Sequence, residues 1–406
     1  MFELLGRRPV IVAVGVLALA ACGESGTEPE VDPFPAAPDD TLPYTYVAPA
    51  RVGDGWTVGR AGDVGLSEER LTEMVDILRD GPRGGPYRNV HGVVIVKDGV
   101  LVMEEYFNGM SFEGAVQDSI LGRWTTFDRT TAHNLASVTK SIASTLVGVA
   151  IQEELISRVD TAVYDFFPEF ADQPDPRKDS ITLEHLLTLT SGLDWDEATY
   201  PSGYPRNDIN ALFRQSDPIA YILSKGTPDP PGTRWLYNGG GTNVLGEVVA
   251  RTSGMSLVDF ADEYLFGPLG ITDREWVLLA NSVTYASGDL RLRPRDMAKI
   301  GSLFLTEGRW NGEAVLSPEW VAQAVEERIL TWDPPWGYGY QWWTFDWPVN
   351  GNVYPSFGAR GWGGQVITVF PTLDMVVVLT GGNYRTSDPT DAIIAEFVLD
   401  ALVERP

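Results

Sequence analysis

A helix that is apolar nearly all round, with one lysine in its first turn, most restricts how this sequence can fold. It begins with Ser137-Val138-Thr139-Lys140, and its apolar positions are Ile142, Ala143, Leu146, Val147, Val149, Ala150 and Ile151. Other elements must cover such a helix on all faces. The chain can supply them, because it has 406 residues, of which 44% are hydrophobic. We therefore expect this helix at the centre of a large domain.

Lys140 is the unusual residue of this helix, because a buried charge is costly unless it is paired or neutralised. The i to i+3 spacing places it on the same face as Ser137. Burial favours a neutral amine, which can accept the serine proton, and the helix N-terminus offers N–H groups to a developing oxyanion. Taken alone, this tetrapeptide favours the simpler interpretation of an N-cap serine followed by a solvated lysine.

Other kinds of site find little support in the sequence. Its three histidines are His91, His133 and His185. His91 opens a predicted strand and His185 lies among leucines in a predicted helix, which favours structural roles for both, and no G-x-S-x-G elbow or H-E-x-x-H motif occurs. The formal net charge of -26 disfavours nucleic-acid binding. We expect no metal and no cofactor, and the single cysteine allows no intrachain disulfide.

The N-terminus predicts export and lipidation. Residues 1–21 combine Arg7 and Arg8 with a short apolar run and small residues before Cys22, as in a secretory signal. The run Leu19-Ala20-Ala21-Cys22 resembles the bacterial lipobox, so we expect a membrane-anchored lipoprotein facing the periplasm, with the outer membrane preferred, or the cell surface. The alternative is an ordinary signal peptide with an incidental cysteine. Residues 22–55, rich in Pro, Asp and Glu, predict a disordered tether.

Residues 56–406 predict one domain of mixed α/β (α+β) class. Apolar runs on both sides of Asp98-Gly99 indicate a hairpin, and two further strands are expected over residues 365–370 and 375–379. These pieces, within 56–136 and 335–406, form the α/β part, and residues 137–334 form a mostly helical part. The architecture is therefore an antiparallel sheet flanked by helices, with a helical inserted subdomain.

Several motifs in order carry a resemblance to a known family. They are Ala136-Ser137-Val138-Thr139-Lys140-Ser141, the run from Ile181 to Leu193, Pro231-Gly232-Thr233-Arg234-Trp235-Leu236-Tyr237, Gly288-Asp289-Leu290-Arg291-Leu292, the run from Arg295 to Gly301, and Gly361-Trp362-Gly363-Gly364-Gln365. Together they resemble the serine β-lactamases and penicillin-binding proteins, above all the class C β-lactamase-related esterases and amidases of the nylon-oligomer hydrolase branch. The resemblance covers about residues 60 to 404 and implies their fold.

The resemblance also implies residue roles. Ser137 would be the acylated nucleophile, Lys140 its proton acceptor and Tyr237 the group that completes the proton relay. The backbone N–H groups of Ser137 and Trp362 would form the oxyanion hole. Substrate-binding positions would be Asn238, Gly239, Arg360, Gly361 and Trp362.

Two departures from the family pattern bear on the substrate. The usual Tyr-x-Asn is Tyr237-Asn238-Gly239 here, so no side chain can hold a substrate amide at the third position. The usual Lys-Thr-Gly or His-x-Gly is Ala359-Arg360-Gly361, and strand alternation points Arg360 away from the site. An ester or an unusual amide is therefore favoured as the small-molecule substrate over a β-lactam.

Two other functions stay open at this point. One is a D-amino-acid peptidase, carboxypeptidase or β-lactamase, and the other is a non-catalytic binding lipoprotein with the same fold. The aromatic stretch from Trp332 to Trp347 is either a small core beneath a long loop or an aromatic wall of the cleft.

Overall fold

The computed structural model describes residues 43–80, 85–170, 175–331 and 336–403. Its strands pair through backbone hydrogen bonds, and most of them lie in one large sheet. In chain order the strands are β1 (Thr57–Val58), β2 (Val90–Lys97), β3 (Val100–Tyr106), β4 (Asn108–Met110), β5 (Gly114–Val116), β6 (Ser119–Leu121), β7 (Trp124–Thr126), β8 (His133–Asn134), β9 (Glu275–Trp276), β10 (Leu290–Leu292), β11 (Arg309–Trp310), β12 (Glu313–Ala314), β13 (Ile329–Leu330), β14 (Gly337–Tyr338), β15 (Trp343–Val349), β16 (Asn352–Gly361), β17 (Gln365–Phe370) and β18 (Met375–Gly381).

Most of the helices lie in the middle of the chain. They are α1 (Glu68–Asp80), α2 (Val138–Gln152), α3 (Leu183–Leu187), α4 (Asp208–Leu212), α5 (Pro218–Leu223), α6 (Gly239–Ser253), α7 (Leu257–Ala261), α8 (Pro294–Leu305), α9 (Pro318–Val325) and α10 (Thr390–Ile393). Both α7 and α10 continue as π-helical turns, Asp262–Phe266 and Ile394–Leu399.

The large sheet has the strand order β1-β3-β2-β18-β17-β16-β15-β14-β13. Only β1 pairs in parallel, and the other neighbours are antiparallel. The β2–β3 turn is Asp98-Gly99, with φ of 52° and 71°, the left-handed conformation that a two-residue hairpin turn requires. This confirms the hairpin and the antiparallel sheet predicted from the sequence.

Apolar side chains cover the sheet on both faces, as the continuous apolar runs predict. Along β2, Val94 and Val96 enter a core shared with α2, α6 and α8, whereas Val93 and Ile95 enter a second core shared with α1 and the C-terminal helix. The alternation follows from the two-residue period of a strand. Helix α2 lies in the first core, and its residues 138 to 150 are buried.

The packed part of the chain begins earlier than the expected boundary at residue 56. Tyr44 and Tyr46 are buried in the second core. The Tyr46 hydroxyl donates to the Val102 carbonyl at 2.6 Å, and the Tyr44 N–H donates to Asp76 at 2.7 Å. Residues 43–55 are therefore packed against the domain, and the rest of the predicted tether lies outside the described residues.

Candidate active site

Ser137 lies at the N-terminal end of α2, where the chain leaves β8. It occupies the N-cap position, but its side chain makes no capping hydrogen bond. The preceding residue, Ala136, is held at φ 45°, a left-handed conformation that is rare for alanine. The Ala136 N–H donates to Asn134 Oδ1 at 2.7 Å. This turn leaves the serine hydroxyl half-buried and available for another partner.

That partner is Lys140, one helical turn further on. Its side chain is only 4% exposed, and Nζ lies 3.0 Å from Ser137 Oγ. Nζ also donates to the Ser287 carbonyl at 2.9 Å. Among the described residues, no carboxylate forms an ion pair with this amine. The structure thus excludes the alternative of a capping serine followed by a solvated lysine.

Tyr237 borders the same amine. The Lys140 Nζ lies 4.7 Å from the centre of its ring. Tyr237 is half-buried and lies two residues before α6, next to the N-cap residue Asn238. Its ring lies nearly parallel to that of Trp343, with centroids 6.4 Å apart. The structure therefore brings the three predicted catalytic side chains together.

The two positions after Tyr237 differ from their expected substrate-binding roles. Asn238 is 2% exposed, and its Oδ1 accepts the Gly241 N–H at 3.0 Å, so its oxygen caps α6. The Gly239 N–H donates to Glu197 Oε2 at 2.8 Å. A Cβ atom at position 239 would lie 2.9 Å from both Glu197 Oε2 and Ile209 Cδ1. Glu197 thus takes up the space where a side chain at the third motif position would lie.

The end of β16 passes directly against the nucleophile. A Cβ atom at Gly361 would lie 2.3 Å from the Leu135 carbonyl oxygen and 3.1 Å from the Ser137 amide nitrogen. Trp362 follows as the first residue of the turn into β17, and its ring packs on Phe112 and Tyr384. The segments that carry the two expected oxyanion-hole amides are therefore neighbours.

Arg360 does not join this group, which corrects its assignment as a substrate-binding residue. Its guanidinium pairs with Asp391 at 2.7 Å and lies 5.1 Å from the Trp336 ring centre, beside the second core. Its neighbour Ala359 is fully buried in the first core. Alternation along β16 is the reason, since adjacent side chains point to opposite faces.

Sequence reasoning missed four polar residues that hold this site together. Asn243, on α6, donates to the Ser287 hydroxyl at 3.0 Å and accepts the Ser287 N–H at 3.3 Å, which fixes the carbonyl that receives Lys140. The Asn134 amide donates to Asp289 Oδ1 at 2.9 Å. Gly288-Asp289 belonged to a recognised motif, but nothing in the motif indicated these partners.

The three histidines lie in structural environments. His91 and His133 are buried, and their Nδ1 and Nε2 atoms lie 2.7 Å apart beside the Phe127 ring. Burial lowers the pKa of His133 to about 4 and that of His91 well below its ordinary range. His185 forms a capping box with Thr182 at the start of α3.

The aromatic stretch divides between the two expected roles. Trp342 is fully buried in the first core, whereas Trp336 and Trp347 contribute to the second. Trp343 lies on β15 beside Tyr237 and therefore borders the site. Trp332 and Cys22 are outside the described residues.

Within the described ranges, no group of three or more His, Cys, Asp or Glu side chains is arranged to hold a metal ion. No helix in those ranges has the length and apolar character needed to cross a membrane.

Several known proteins are similar to this chain, two of those named here in sequence and one in structure. The chain is 32% identical over 199 residues to a lovastatin esterase of Penicillium rubens, covering 43% of this chain and 46% of that protein. It is 27% identical over 266 residues to the 6-aminohexanoate-dimer hydrolase of Paenarthrobacter ureafaciens, covering 61% of this chain and 65% of that protein. The crystal structure of a family VIII carboxylesterase superposes with a TM-score of 0.64 at 20% identity, covering 83% of this chain and 99% of that one.

A mixed α/β domain with a serine and a buried lysine at the start of its central helix defines the class of β-lactamase-like serine hydrolases. The sequence model of the β-lactamase family matches residues 87–400. The chain belongs to the β-lactamase family. It spans about two thirds or less of the length of the two curated relatives named above.

Proposed function

We propose that this protein hydrolyses a carboxylic ester or amide through an acyl-enzyme on Ser137. The observation that carries the proposal is the position of the Lys140 Nζ, 3.0 Å from the Ser137 hydroxyl and fixed by the Ser287 carbonyl. In its neutral form this amine can accept the serine proton while Oγ attacks the substrate carbonyl carbon. The same geometry would serve no purpose in a helix cap.

The remaining steps use groups around the same pair. The developing oxyanion would lie between the backbone N–H groups of Ser137 and Trp362. Tyr237, beside the Lys140 amine, would pass the proton to the leaving alcohol or amine. Water would then attack the acyl-enzyme carbonyl, returning the proton to Ser137 Oγ and releasing the acid.

The chemistry of β16 favours esters and amides without a carboxylate close to the scissile bond. Ala359 has no charge to offer, and Arg360 is paired with Asp391 on the other face of the sheet. A β-lactam carboxylate would therefore find no cation on this strand. The names of the related lovastatin esterase and 6-aminohexanoate-dimer hydrolase support an ester or amide as substrate.

The test uses soluble protein comprising residues 23–406 and nitrophenyl esters of short acids. Ser137→Ala and Lys140→Ala should each lower turnover by on the order of 10³-fold or more. Lys97→Ala is the control, since Lys97 binds Asp98 and the Leu373 carbonyl at the far end of β2. Wild-type turnover in either site variant, or no reaction of Ser137 with a fluorophosphonate probe, would refute the proposal.

For the N-terminus we propose that Cys22 is lipidated after removal of residues 1–21 and anchors the domain to a bacterial membrane, with the outer membrane preferred. The lipobox-like run before Cys22 supports this. Cys22→Ser should move the protein from the membrane fraction to the soluble fraction. An unchanged distribution between the two fractions would rule out the anchor.

A further inference from the structure

We propose that Asp289 is a positioning residue for this reaction, which holds the backbone of the nucleophile through the side chain of Asn134. The inference rests on the proposed function of Ser137. Asp289 forms no hydrogen bond with Ser137 in the structure, so it would act through its hydrogen bond with Asn134.

Two consecutive hydrogen bonds connect Asp289 to the residue before the nucleophile. Asp289 Oδ1 accepts the Asn134 amide at 2.9 Å, and Asn134 Oδ1 accepts the Ala136 N–H at 2.7 Å. Asn134 is buried, so both ends of its amide are used inside the protein. Ala136 has φ 45°, a conformation that persists only where surrounding contacts hold it. The direction of the Ser137 amide and hydroxyl therefore depends on these two hydrogen bonds.

The segment that carries Asp289 also holds the other half of the catalytic pair. The Ser287 carbonyl accepts Lys140 Nζ at 2.9 Å. Leu290 binds both sides of the nucleophile, because its carbonyl accepts the Leu135 N–H before α2 at 2.9 Å and its N–H donates to Thr139 Oγ1 in α2 at 3.3 Å. The four residues from Ser287 to Leu290 thus fix the position of Ser137 relative to Lys140.

The ionisation of Asp289 is linked to the same hydrogen bond. Burial raises the pKa of this carboxyl, while the Asn134 hydrogen bond and the side chains of Arg291 and Lys140 act in the opposite direction. The titratable groups that face it are Lys140 on α2, Arg291 on β10, and Tyr285 and Tyr384 on the flanking loops. The hydrogen bond from Asn134 therefore favours the ionised carboxylate, which is the acceptor that the Asn134 amide needs.

The experiment compares Asp289→Asn with Asp289→Gly in the soluble protein. Asparagine keeps an oxygen for Asn134 but loses the charge, whereas glycine loses the hydrogen bond and tolerates the φ of 57° without strain. Asp289→Gly should lower kcat for a small ester by about 10- to 100-fold, with KM within about threefold. Asp289→Asn should keep kcat within about threefold of the wild-type value, because its side-chain oxygen can still accept the Asn134 amide.

Asp374 provides a matched control, because it is an exposed aspartate with φ 47° at the far end of β17. Asp374→Asn and Asp374→Gly should both leave kcat at the wild-type value. Wild-type kcat in Asp289→Gly, or an equal loss in both Asp289 variants, would overturn the positioning role. A tenfold or larger loss of kcat in Asp289→Asn would likewise overturn it, because that side chain can still accept the Asn134 amide. Asp289→Asn keeps the test valid if the glycine variant does not fold.

The result also separates the two proposals. Ester hydrolysis that survives Ser137→Ala would defeat the proposed function itself. Hydrolysis that requires Ser137 but is unchanged by Asp289→Gly would defeat the positioning role alone.

Discussion

Ser137 and Ser317 both precede a helix, yet their hydroxyls do different things. Ser317 Oγ accepts the Trp320 N–H at 3.1 Å and caps α9. Ser137 makes no such bond and lies 3.0 Å from Lys140 Nζ instead. One hydroxyl therefore stabilises a helix, and the other is left free to react.

This difference predicts opposite outcomes for the same substitution. Ser317→Ala should lower the free energy of unfolding by about 1 kcal/mol through loss of a cap and leave turnover unchanged. Ser137→Ala should remove turnover and change the free energy of unfolding by no more than about 0.5 kcal/mol. Urea denaturation and ester hydrolysis on both variants measure the two quantities. A Ser137→Ala variant that keeps its turnover but loses stability would show that Ser137 is only a cap.

The sequence predicted the residues of the site that lie close together along the chain. Ser137 and Lys140 are three residues apart, so helical geometry alone brings them together. Ser287 and Asp289 are about 150 residues away from their partners, and no local periodicity reports such a contact. Arg360 is a similar case. The alternation of side chains along the strand predicted which face of the sheet Arg360 is on, but only the structure shows that its partner is Asp391.

At the level of elements, the site depends on the contact between β16 and the start of α2. Gly361 leaves no room for a side chain, since a Cβ atom there would lie 2.3 Å from the Leu135 carbonyl oxygen. That contact sets how near the Trp362 amide comes to the Ser137 amide. The proposed oxyanion hole would thus be a property of two packed elements rather than of either one.

Gly361→Ala should therefore separate β16 from α2 by a fraction of an ångström or more. We expect turnover to fall by about 100-fold, because small displacements of reacting groups are costly, and the free energy of unfolding to fall by about 1 to 3 kcal/mol. Gly226→Ala is the control, since nothing lies within 4 Å of a Cβ atom at that position. Equal turnover in the two variants would contradict this account of the junction.

A second element-level feature is the β5–β6 hairpin, which bridges separate parts of the chain. The Arg385 guanidinium donates to the Gln117 carbonyl and, at 2.8 Å, to that of Ser202. The Gln117 N–H donates to the Gly203 carbonyl at 3.2 Å, and Tyr204 donates to Asp118 at 2.7 Å. These few polar contacts, rather than a buried core, attach the hairpin to its neighbours.

Arg385→Ala should therefore loosen the hairpin locally. Loss of about 1 kcal/mol of interaction would raise the population of its open form roughly fivefold. Chymotrypsin cleavage after Leu121, followed by mass spectrometry, measures that population. Arg158→Ala removes an exposed arginine that pairs with Asp160 and serves as the control. Cleavage at the same rate in both variants would show that Arg385 does not hold the hairpin.

Periodicity predicted several long elements but not many of the short ones. Helix α2 and strands β17 and β18 have enough apolar residues at a regular spacing to be recognised. Strands β4 to β7 have three residues each, and α4 and α5 have five and six. Elements of that length contain at most two repeats of any pattern, so tertiary contacts decide their conformation.

For the molecule as a whole, the His91–His133 contact links the large sheet to the site. His91 lies on β2, and His133 lies on β8, beside the Asn134 that holds Ala136 and Asp289. Both rings are buried in an apolar setting with Phe127. The folded protein must therefore keep both imidazoles uncharged, since no described side chain beside them could compensate a charge.

This requirement predicts how stability varies with pH. Burial lowers the pKa of His133 from 6.5 to about 4, so between these values the unfolded chain binds a proton that the folded protein does not. The free energy of unfolding must then fall as the pH drops from about 6.5 to about 4, by up to about 3 kcal/mol from this residue. Urea denaturation at several pH values should show a shallower fall for His133→Asn than for wild type. His185→Asn should reduce this fall less, because His185 is only half-buried. If the free energy of unfolding falls equally steeply with pH in all three proteins, the buried pair does not control acid stability.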